Sequence, residues 1–308
     1  MIGHFPNLSN EEYHSYPGTS KTQLDKIHIS PLEYWDCYKN PNVRPRSEED
    51  HFLFGTGAHS IILEPDVFKE HYAVGFDKSK YPDALDTIED LNPELIKRNL
   101  SLTGTKRKLV ESLISDGYPK EKIMLCQQEE YASSCQNKKI IPSSDYKDML
   151  GMLDAVNSHH TASKLLKGCA AEHSYLVEDE YGMIRKCRPD FITANGRVVC
   201  DLKSTTDVSP SGFGRSIVKY RYLIQAAWYL DVLKLHYGDD APTVFSFIAI
   251  QKTRPYDVAV YYATEEQIAM GRAAYQQDYS LLRACLESDQ WPGCDGGRML
   301  EIELPKWA

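Results

Sequence analysis

The chain has 308 residues and a formal net charge of −9, with 42% hydrophobic and 26% charged residues. That is enough apolar material for a sizeable core, in one large domain or two small ones. The acidic balance argues against a passive nucleic-acid coat protein, but it leaves room for an enzyme with a local basic groove.

The sequence shows no signal-type apolar segment at its start and no apolar run near ~18 residues. The expectation is a cytoplasmic protein that does not enter a membrane. The eight cysteines form no CxxC pair and no Cys/His cluster at zinc spacing, so they read as reduced thiols.

In chain order, residues 1–19 read as an extended lead-in, with turn signals at Pro6 and Pro17-Gly18. Ser20-Lys21-Thr22-Gln23 is a capping box that opens a short helix through Ile27. Ser30-Pro31-Leu32-Glu33 opens another, with Pro at its first position, through about Tyr38. Residues 40–50 are polar and form a loop.

Residues 52–63 predict a helix whose Gly55, Gly57 and Ala58 admit a close neighbour; His59 in its middle, taken alone, reads as a core histidine. Residues 76–150 are charged and proline-bearing and read as an insertion. Within it, residues 105–115 form an amphipathic helix with Leu109, Val110, Leu113 and Ile114 on one side. Residues 144–167 predict a helix ended by Gly168, and residues 171–177 a strand carrying Glu172.

The centre of the chain is residues 185–205, where Asn195-Gly196 is a strong type I′ hairpin signal. A two-residue loop there puts Asp190 opposite Asp201 and Arg188 opposite Lys203, all four on one face. Two facing carboxylates repel at about 5 Å, and a divalent cation between them removes the repulsion. Lys203 falls on the same face, within reach of a metal-bound water or a phosphate. The plainer alternative is two surface aspartates on an ordinary hairpin. Glu172 adds a third carboxylate at the edge of a sheet formed by residues 171–177, 183–193 and 197–204.

A Gly/Ser/Pro loop at 207–214 leads into the longest helix, 217–237, which is apolar on most sides and therefore buried. Gln225 and Tyr229 are four apart and share a face of it. A buried Gln needs partners: a phosphate, a nucleobase or backbone. Strands follow at 244–250 and 258–262, then a helix at 265–288 and a tail through Ile302, Pro305 and Trp307. Basic clusters lie at Arg44/Arg46, Lys97/Arg98, Lys106 to Lys108, Arg185/Lys186/Arg188 and Arg215/Lys219/Arg221. The last two flank the proposed site and are expected to meet DNA.

Glu172, Pro189-Asp190, Asp201-Leu202-Lys203 and Gln225-x-x-x-Tyr229, in this order, resemble the PD-(D/E)XK nuclease superfamily. More closely, the chain resembles the RecE-type exonucleases (exodeoxyribonuclease VIII). That likeness runs through EEYHSYPGTSKTQLDKI, FGTGAHSIILEPDVF, AEHSYLV, RKCRPDFI, DLKSTTD and YRYLIQAAWYLD, and is poorest over 76–150. It implies an α/β fold: a nuclease core of mixed central β-sheet flanked by helices, in a single domain over 1–308 with the 76–150 segment inserted.

The resemblance also implies Mg²⁺-dependent 5′→3′ digestion of linear double-stranded DNA from its ends, leaving 3′ single-stranded tails for recombination by strand annealing. One or two Mg²⁺ per site are expected, with Mn²⁺ able to substitute. It further implies a ring-shaped homo-oligomer, a RecT-type annealing partner and a bacterial or phage origin.

Carried over by resemblance, Asp190, Asp201 and the Leu202 carbonyl are metal ligands, and His59 joins them rather than the core. Lys203 orients or activates the attacking water, and Glu172 supports the metal region. Gln225 and Tyr229 support the site and the DNA strand. Arg188 lies among the DNA-contacting groups. Ser20 and Lys21 fall where relatives hold the terminal 5′-phosphate, although Ser20 also suits a helix cap. Two rivals stand beside this reading. An iron–sulfur nuclease needs three cysteines after the nuclease motifs, whereas only Cys285 and Cys294 follow the helix motif here. A catalytically decayed DNA-end-binding protein does not need the acidic residues and lysine that are present.

Overall fold

A computed structural model describes residues 2–42 and 50–302. Arg44, Arg46, most of the expected 40–50 loop, Pro305 and Trp307 lie outside the described residues. In chain order the strands are β1 (Gly3–Phe5), β2 (Tyr72–Val74), β3 (Lys139–Ile141), β4 (Ala170–Ala171), β5 (Ser174–Glu178), β6 (Ile184–Cys187), β7 (Phe191–Ile192), β8 (Val198–Thr205), β9 (Val244–Gln251) and β10 (Val258–Tyr262). The chain divides into two compact units, Met1–Glu64 with Gly151–Ala308, and Pro65–Leu150.

The first unit is built on a five-stranded mixed sheet in the order β10-β9-β8-β7-β4. Only the β8–β9 pair is parallel among the described strands of this sheet. A parallel pair needs a long crossover, which the helices Pro210–Lys219 and Tyr222–Tyr237 supply. β9 is buried along nearly its whole length, which is why VFSFIAI reads as a continuous apolar run rather than an alternating one. β1, β5 and β6 form a separate antiparallel sheet.

Helices flank the main sheet. Tyr222–Tyr237 buries Ile224, Trp228, Leu230, Val232 and Leu233, and the Trp228 indole N–H donates to the Lys186 carbonyl at 3.0 Å. Glu265–Ser288, opened by reciprocal Thr264–Gln267 hydrogen bonds of 3.0 and 3.2 Å, packs against it. A Cβ added at Gly271 would sit 2.1 Å from the Leu223 carbonyl oxygen, so this close crossing requires glycine. In Pro65–Leu150, β2 and β3 pair in parallel, and Leu91, Leu95, Leu109, Leu113 and Ile123 form a small core. Lys106–Ser115 buries Leu109, Val110 and Leu113 on its expected face, while Lys106 pairs with Asp86 at 3.0 Å.

Several expectations need correction. The lead-in is not merely extended: Ser9-Asn10-Glu11-Glu12 is a capping box that opens a helix, Asn10–Ser15, and β1 precedes it. The expected helix over 144–167 breaks into Ser143–Ser158 and His160–Leu166, with His159 Nδ1 capping the second at 3.2 Å from the Ala162 N–H. The expected loop at 207–214 begins a helix at Pro210, because Ser209 caps it and Pro sits at its first position. The expected single helix 217–237 breaks at Arg221, which takes φ +56°. The longest described helix is Glu265–Ser288.

Candidate active site

The central hairpin keeps the expected register by a different turn. Phe191 faces Cys200 and Ile192 faces Val199, so Asp190 comes level with Asp201. Of the two expected turn residues Gly196 alone has positive φ, +70°, and the Gly196 N–H donates to the Thr193 carbonyl at 2.8 Å. The connection is therefore a four-residue loop around an ordinary turn rather than a type I′ pair. The long first strand is split as well. Pro189 interrupts it, β6 pairs with β5 in the other sheet, and β7 alone pairs with β8. Arg188 consequently does not face Lys203 across a ladder, contrary to expectation.

The expected strand 171–177 also bends. Glu172 sits between β4 and β5 with φ +57°, a left-handed conformation that costs a non-glycine residue about 1 kcal/mol or more. The bend turns its carboxylate toward Asp190, and its N–H donates to the Asp190 carbonyl at 2.9 Å.

These turns bring four elements together. From the Asp50–Leu63 helix, His59 Nδ1 lies 3.3 Å from Asp190 Oδ2. His59, Glu172 and Asp190 each present one ligand atom within 4.8 Å of the others. The same Asp190 oxygen accepts the Leu202 N–H at 2.6 Å, which locks it to β8. Next along β8, Asp201 Oδ1 accepts from Gln225 Nε2 at 2.6 Å. Gln225 is buried as expected, but its partner is a carboxylate rather than backbone, phosphate or base. Asp201 Oδ2 is buried and forms an ion pair with the Lys203 ammonium.

The electrostatics are those of a crowded acidic site. Burial, with Asp201 beside it, pushes Asp190 up to about 6 against the pull of His59 and Lys203. Burial and Asp190 push Glu172 up to about 8, although Arg188 opposes them. Burial alone would lower Lys203, but Asp201 and Asp190 outweigh it and the net shift is upward. Carboxylates held this close are relieved by a cation. Three donors in reach of one point fit a divalent ion. The triplet that could hold it is His59–Glu172–Asp190, with Asp201 adjacent to it rather than in it.

The remaining expected residues are placed as follows. Arg188 Nε donates to Glu172 Oε2 at 2.8 Å and one terminal nitrogen donates to the Leu8 carbonyl at 2.9 Å, so it is committed within the protein. Tyr229 is half-buried, and Asp201 and Asp190 help burial to hold its hydroxyl well above the usual phenol range. The Ser20 N–H is capped by Gln23 at 3.2 Å. Lys21 pairs with Asp25 at 2.6 Å and donates to the Tyr220 carbonyl at 2.9 Å. Burial lowers its pKa, and nearby Lys203 adds to that.

The basic cluster at 185–188 faces inward instead of toward DNA. Arg185 is 7% exposed and Lys186 2% exposed. Lys186 Nζ donates to the carbonyls of Tyr13 and Tyr16 at 2.8 and 2.6 Å, neutralising the C-terminal end of the Asn10–Ser15 helix. One residue escaped the sequence reading. Tyr222 places its ring centroid 4.6 Å from Lys203 Nζ. The missed signal was spacing, since Tyr222, Gln225 and Tyr229 fall at i, i+3 and i+7 on one helix face.

No helix among the described residues is long and apolar enough to cross a membrane. A search of curated proteins finds no match. Among solved structures, the chain is similar to a protein designated "Putative exonuclease" from Eubacterium rectale, at 14% identity and TM-score 0.42, covering 75% of this chain and 94% of that one. It is also similar to the protein SSO0001, at 15% identity and TM-score 0.28, covering 76% of this chain and 87% of that one. The model of the PDDEXK-like domain of unknown function (DUF3799) matches residues 20–299. That match spans most of the chain and includes every residue of the site, and the chain therefore belongs to the PDDEXK-like domain family.

Proposed function

We propose that this protein is a metal-dependent deoxyribonuclease, a 5′→3′ exonuclease of the RecE type that acts on the ends of linear double-stranded DNA. The observation that carries the reading is the convergence of His59, Glu172 and Asp190 within 4.8 Å beside a buried Asp201 carboxylate held by Gln225 and Lys203. Crowded, buried carboxylates with raised pKa values cluster at functional sites.

His59, Glu172, Asp190 and Asp201, with the Leu202 carbonyl, are the residues that would hold Mg²⁺, or Mn²⁺ in its place, one or two ions per site. When bound, such an ion polarises a scissile phosphate and lowers the pKa of a water. The chain's own groups do the rest. Gln225 fixes the Asp201 carboxylate by its 2.6 Å hydrogen bond. Lys203 stays protonated between Asp201 and Asp190, so it serves as a cation and hydrogen-bond donor toward the phosphate and the attacking water. Phosphodiester hydrolysis rests on this kind of fixed charge stabilisation. Arg188 braces Glu172, and Tyr229 walls the site beneath the strand. Ser20 and Lys21 are assigned to the terminal 5′-phosphate. A ring-shaped homo-oligomer and a RecT-type annealing protein complete the proposal.

The test is end-labelled linear duplex beside covalently closed circles, with wild type or Lys203→Ala, in Mg²⁺ or EDTA. The reading expects loss of linear DNA alone, from the 5′ end, with metal and wild type only. Cutting of closed circles would make the protein an endonuclease. Binding without digestion would make it a decayed fold.

A further inference from the structure

Tyr220 is 48% exposed, yet its backbone N–H and carbonyl are both hydrogen-bonded. Its N–H donates to the Ser216 carbonyl at 3.0 Å, and its carbonyl accepts from Lys21 Nζ at 2.9 Å. The next residue, Arg221, adopts φ +56°. That strained turn is held by Asp25 at 2.9 Å and by Asp278. Strain of about 1–2 kcal/mol at a non-glycine residue persists where surrounding contacts enforce it. Here it breaks what would otherwise be one long helix, and the product of the break is an aromatic ring presented to solvent.

The ring is also continuous with the candidate active site. Tyr220 stacks on Tyr222 at 5.5 Å between centroids and 26° between planes. Tyr222 stacks in turn on the buried Phe247 at 5.9 Å, and its ring receives Lys203 Nζ at 4.6 Å. Lys219 Nζ lies 5.0 Å from the Tyr220 centroid. A ladder of two rings thus leads outward from the lysine assigned to the phosphate, with exposed Lys219 beside it. An exposed aromatic with a cation beside it, one ring removed from a phosphate-handling group, has the chemistry of a nucleobase platform. Every base offers a π-face, and the neighbouring ammonium group suits its phosphates.

We propose that Tyr220 is a base-stacking residue that holds the unpaired base of the nucleotide next to the scissile phosphate, with Tyr222 as its support. This rests on the deoxyribonuclease reading and names how the strand is held there. A duplex exonuclease must separate the terminal pair to bring one strand to its carboxylates, and an exposed ring backed by Tyr222 offers the freed base a replacement for its lost stacking.

The experiment compares wild type with Tyr220→Ala, Tyr220→Phe and Tyr220→Trp on linear duplex carrying 2-aminopurine at the terminal nucleotides. Tyr220→Ala is expected to raise KM about 5- to 150-fold, the range of one lost base–aromatic stack, with kcat changed little. Tyr220→Phe and Tyr220→Trp keep KM near wild type, because the ring and not the hydroxyl does the stacking. Binding is read separately in EDTA, where 2-aminopurine is quenched by wild type and not by Tyr220→Ala.

An unchanged KM and unchanged quenching in Tyr220→Ala overturn the stacking role. So does a sedimentation mass that drops in Tyr220→Ala, since the ring would then belong to a subunit contact. Failure of wild type to digest linear DNA in Mg²⁺ overturns the exonuclease reading instead. In that event quenching that depends on the ring still supports the platform, and its absence overturns it.

Discussion

Gln225 donates to Asp201 at 2.6 Å from a helix that lies 24 residues further along the chain, and this bond ties the crossover helix to the strand that bears the site. Both side chains are buried, at 7% and 1% exposure. In Gln225→Ala one Asp201 oxygen keeps its contact with Lys203 and the other loses its protein donor. Hydrogen bonds to buried charges are worth about 1.5–3 kcal/mol, so urea unfolding in EDTA is expected to show a loss of that size. Gln225→Glu is expected to be worse, since it adds a fourth carboxylate to Asp201, Asp190 and Glu172. A loss below about 0.5 kcal/mol in Gln225→Ala would show that the bond does not hold the site together.

Adding Mg²⁺ or Mn²⁺ is expected to stabilise the wild type, because a ligand that binds the folded state alone contributes about 2.7 kcal/mol at a concentration ~100 times its Kd. Asp190→Asn is expected to abolish that gain. The amide oxygen can still accept the Leu202 N–H, so the fold is kept, and one of the crowded charges is gone. In EDTA the variant is therefore expected to equal or exceed wild type in stability, while in metal the order reverses. Thermal unfolding of both proteins with and without metal reads this crossing. A metal-induced shift that survives in Asp190→Asn would remove Asp190 from the ligand set.

What could be read in the sequence was what is written locally or in strict alternation. Ser20 to Gln23 and Ser30-Pro31 each announce a helix start within four residues, and both helices begin there. The level placement of Asp190 and Asp201 survived a wrong turn type because the loop, 194–197 in place of 195–196, grows by one residue on each side and so leaves the pairing of Phe191 with Cys200 and Ile192 with Val199 unchanged. Glu172 and Arg221 could not be read, since a non-glycine residue in the left-handed region leaves no signature; both are held there by groups distant in sequence. Arg185 and Lys186 misled as well. Basic residues in a row resemble a DNA-facing surface until their partners are known: Asp179 across the β5–β6 turn for Arg185, and the carbonyls of Tyr13 and Tyr16, far away in the sequence, for Lys186.

Lys203 is expected to matter to rate more than to DNA affinity. Its ammonium sits between Asp201 and the Tyr222 ring, so it is oriented before any substrate arrives. Removing one preorganised donor of this kind lowers turnover about 10²–10³-fold. Lys203→Ala is expected to show that loss in kcat, with duplex binding in EDTA nearly unchanged. Lys203→Arg is expected to recover little, because the planar guanidinium cannot occupy a point-charge position between two carboxylates and a ring. Full activity in Lys203→Arg would mean that only net positive charge is needed there.

Away from the site, Asp179 is expected to contribute to the acid limit of the fold. Its Oδ2 accepts from Arg185 Nε at 2.7 Å and from the Tyr279 hydroxyl at 2.6 Å. Its Oδ1 accepts from the N–H groups of Tyr181 and Met183, each at 3.0 Å. This carboxylate thereby fastens the β5–β6 turn to the Glu265–Ser288 helix. Burial would raise its pKa, but these hydrogen bonds overcome it and hold the carboxyl below its ordinary 3.8. A carboxylate depressed in the folded state binds fewer protons there than in the unfolded chain. Its contribution is therefore complete above the unfolded pKa and is lost as pH falls through the folded value. Unfolding free energy is expected to fall steeply below about pH 4 in wild type, the region where an unfolded Asp takes up its proton. Asp179→Asn keeps an acceptor and the shape but cannot titrate, so its curve is expected to be lower at pH 7 and flatter below pH 4. Asp179→Ala, which strands the Arg185 guanidinium among the Trp228 and Tyr279 rings, is expected to cost about 3–5 kcal/mol at pH 7. Urea titrations from pH 7 to pH 3 on the three proteins test both parts, and parallel acid limbs for wild type and Asp179→Asn would assign the acid sensitivity to other carboxylates.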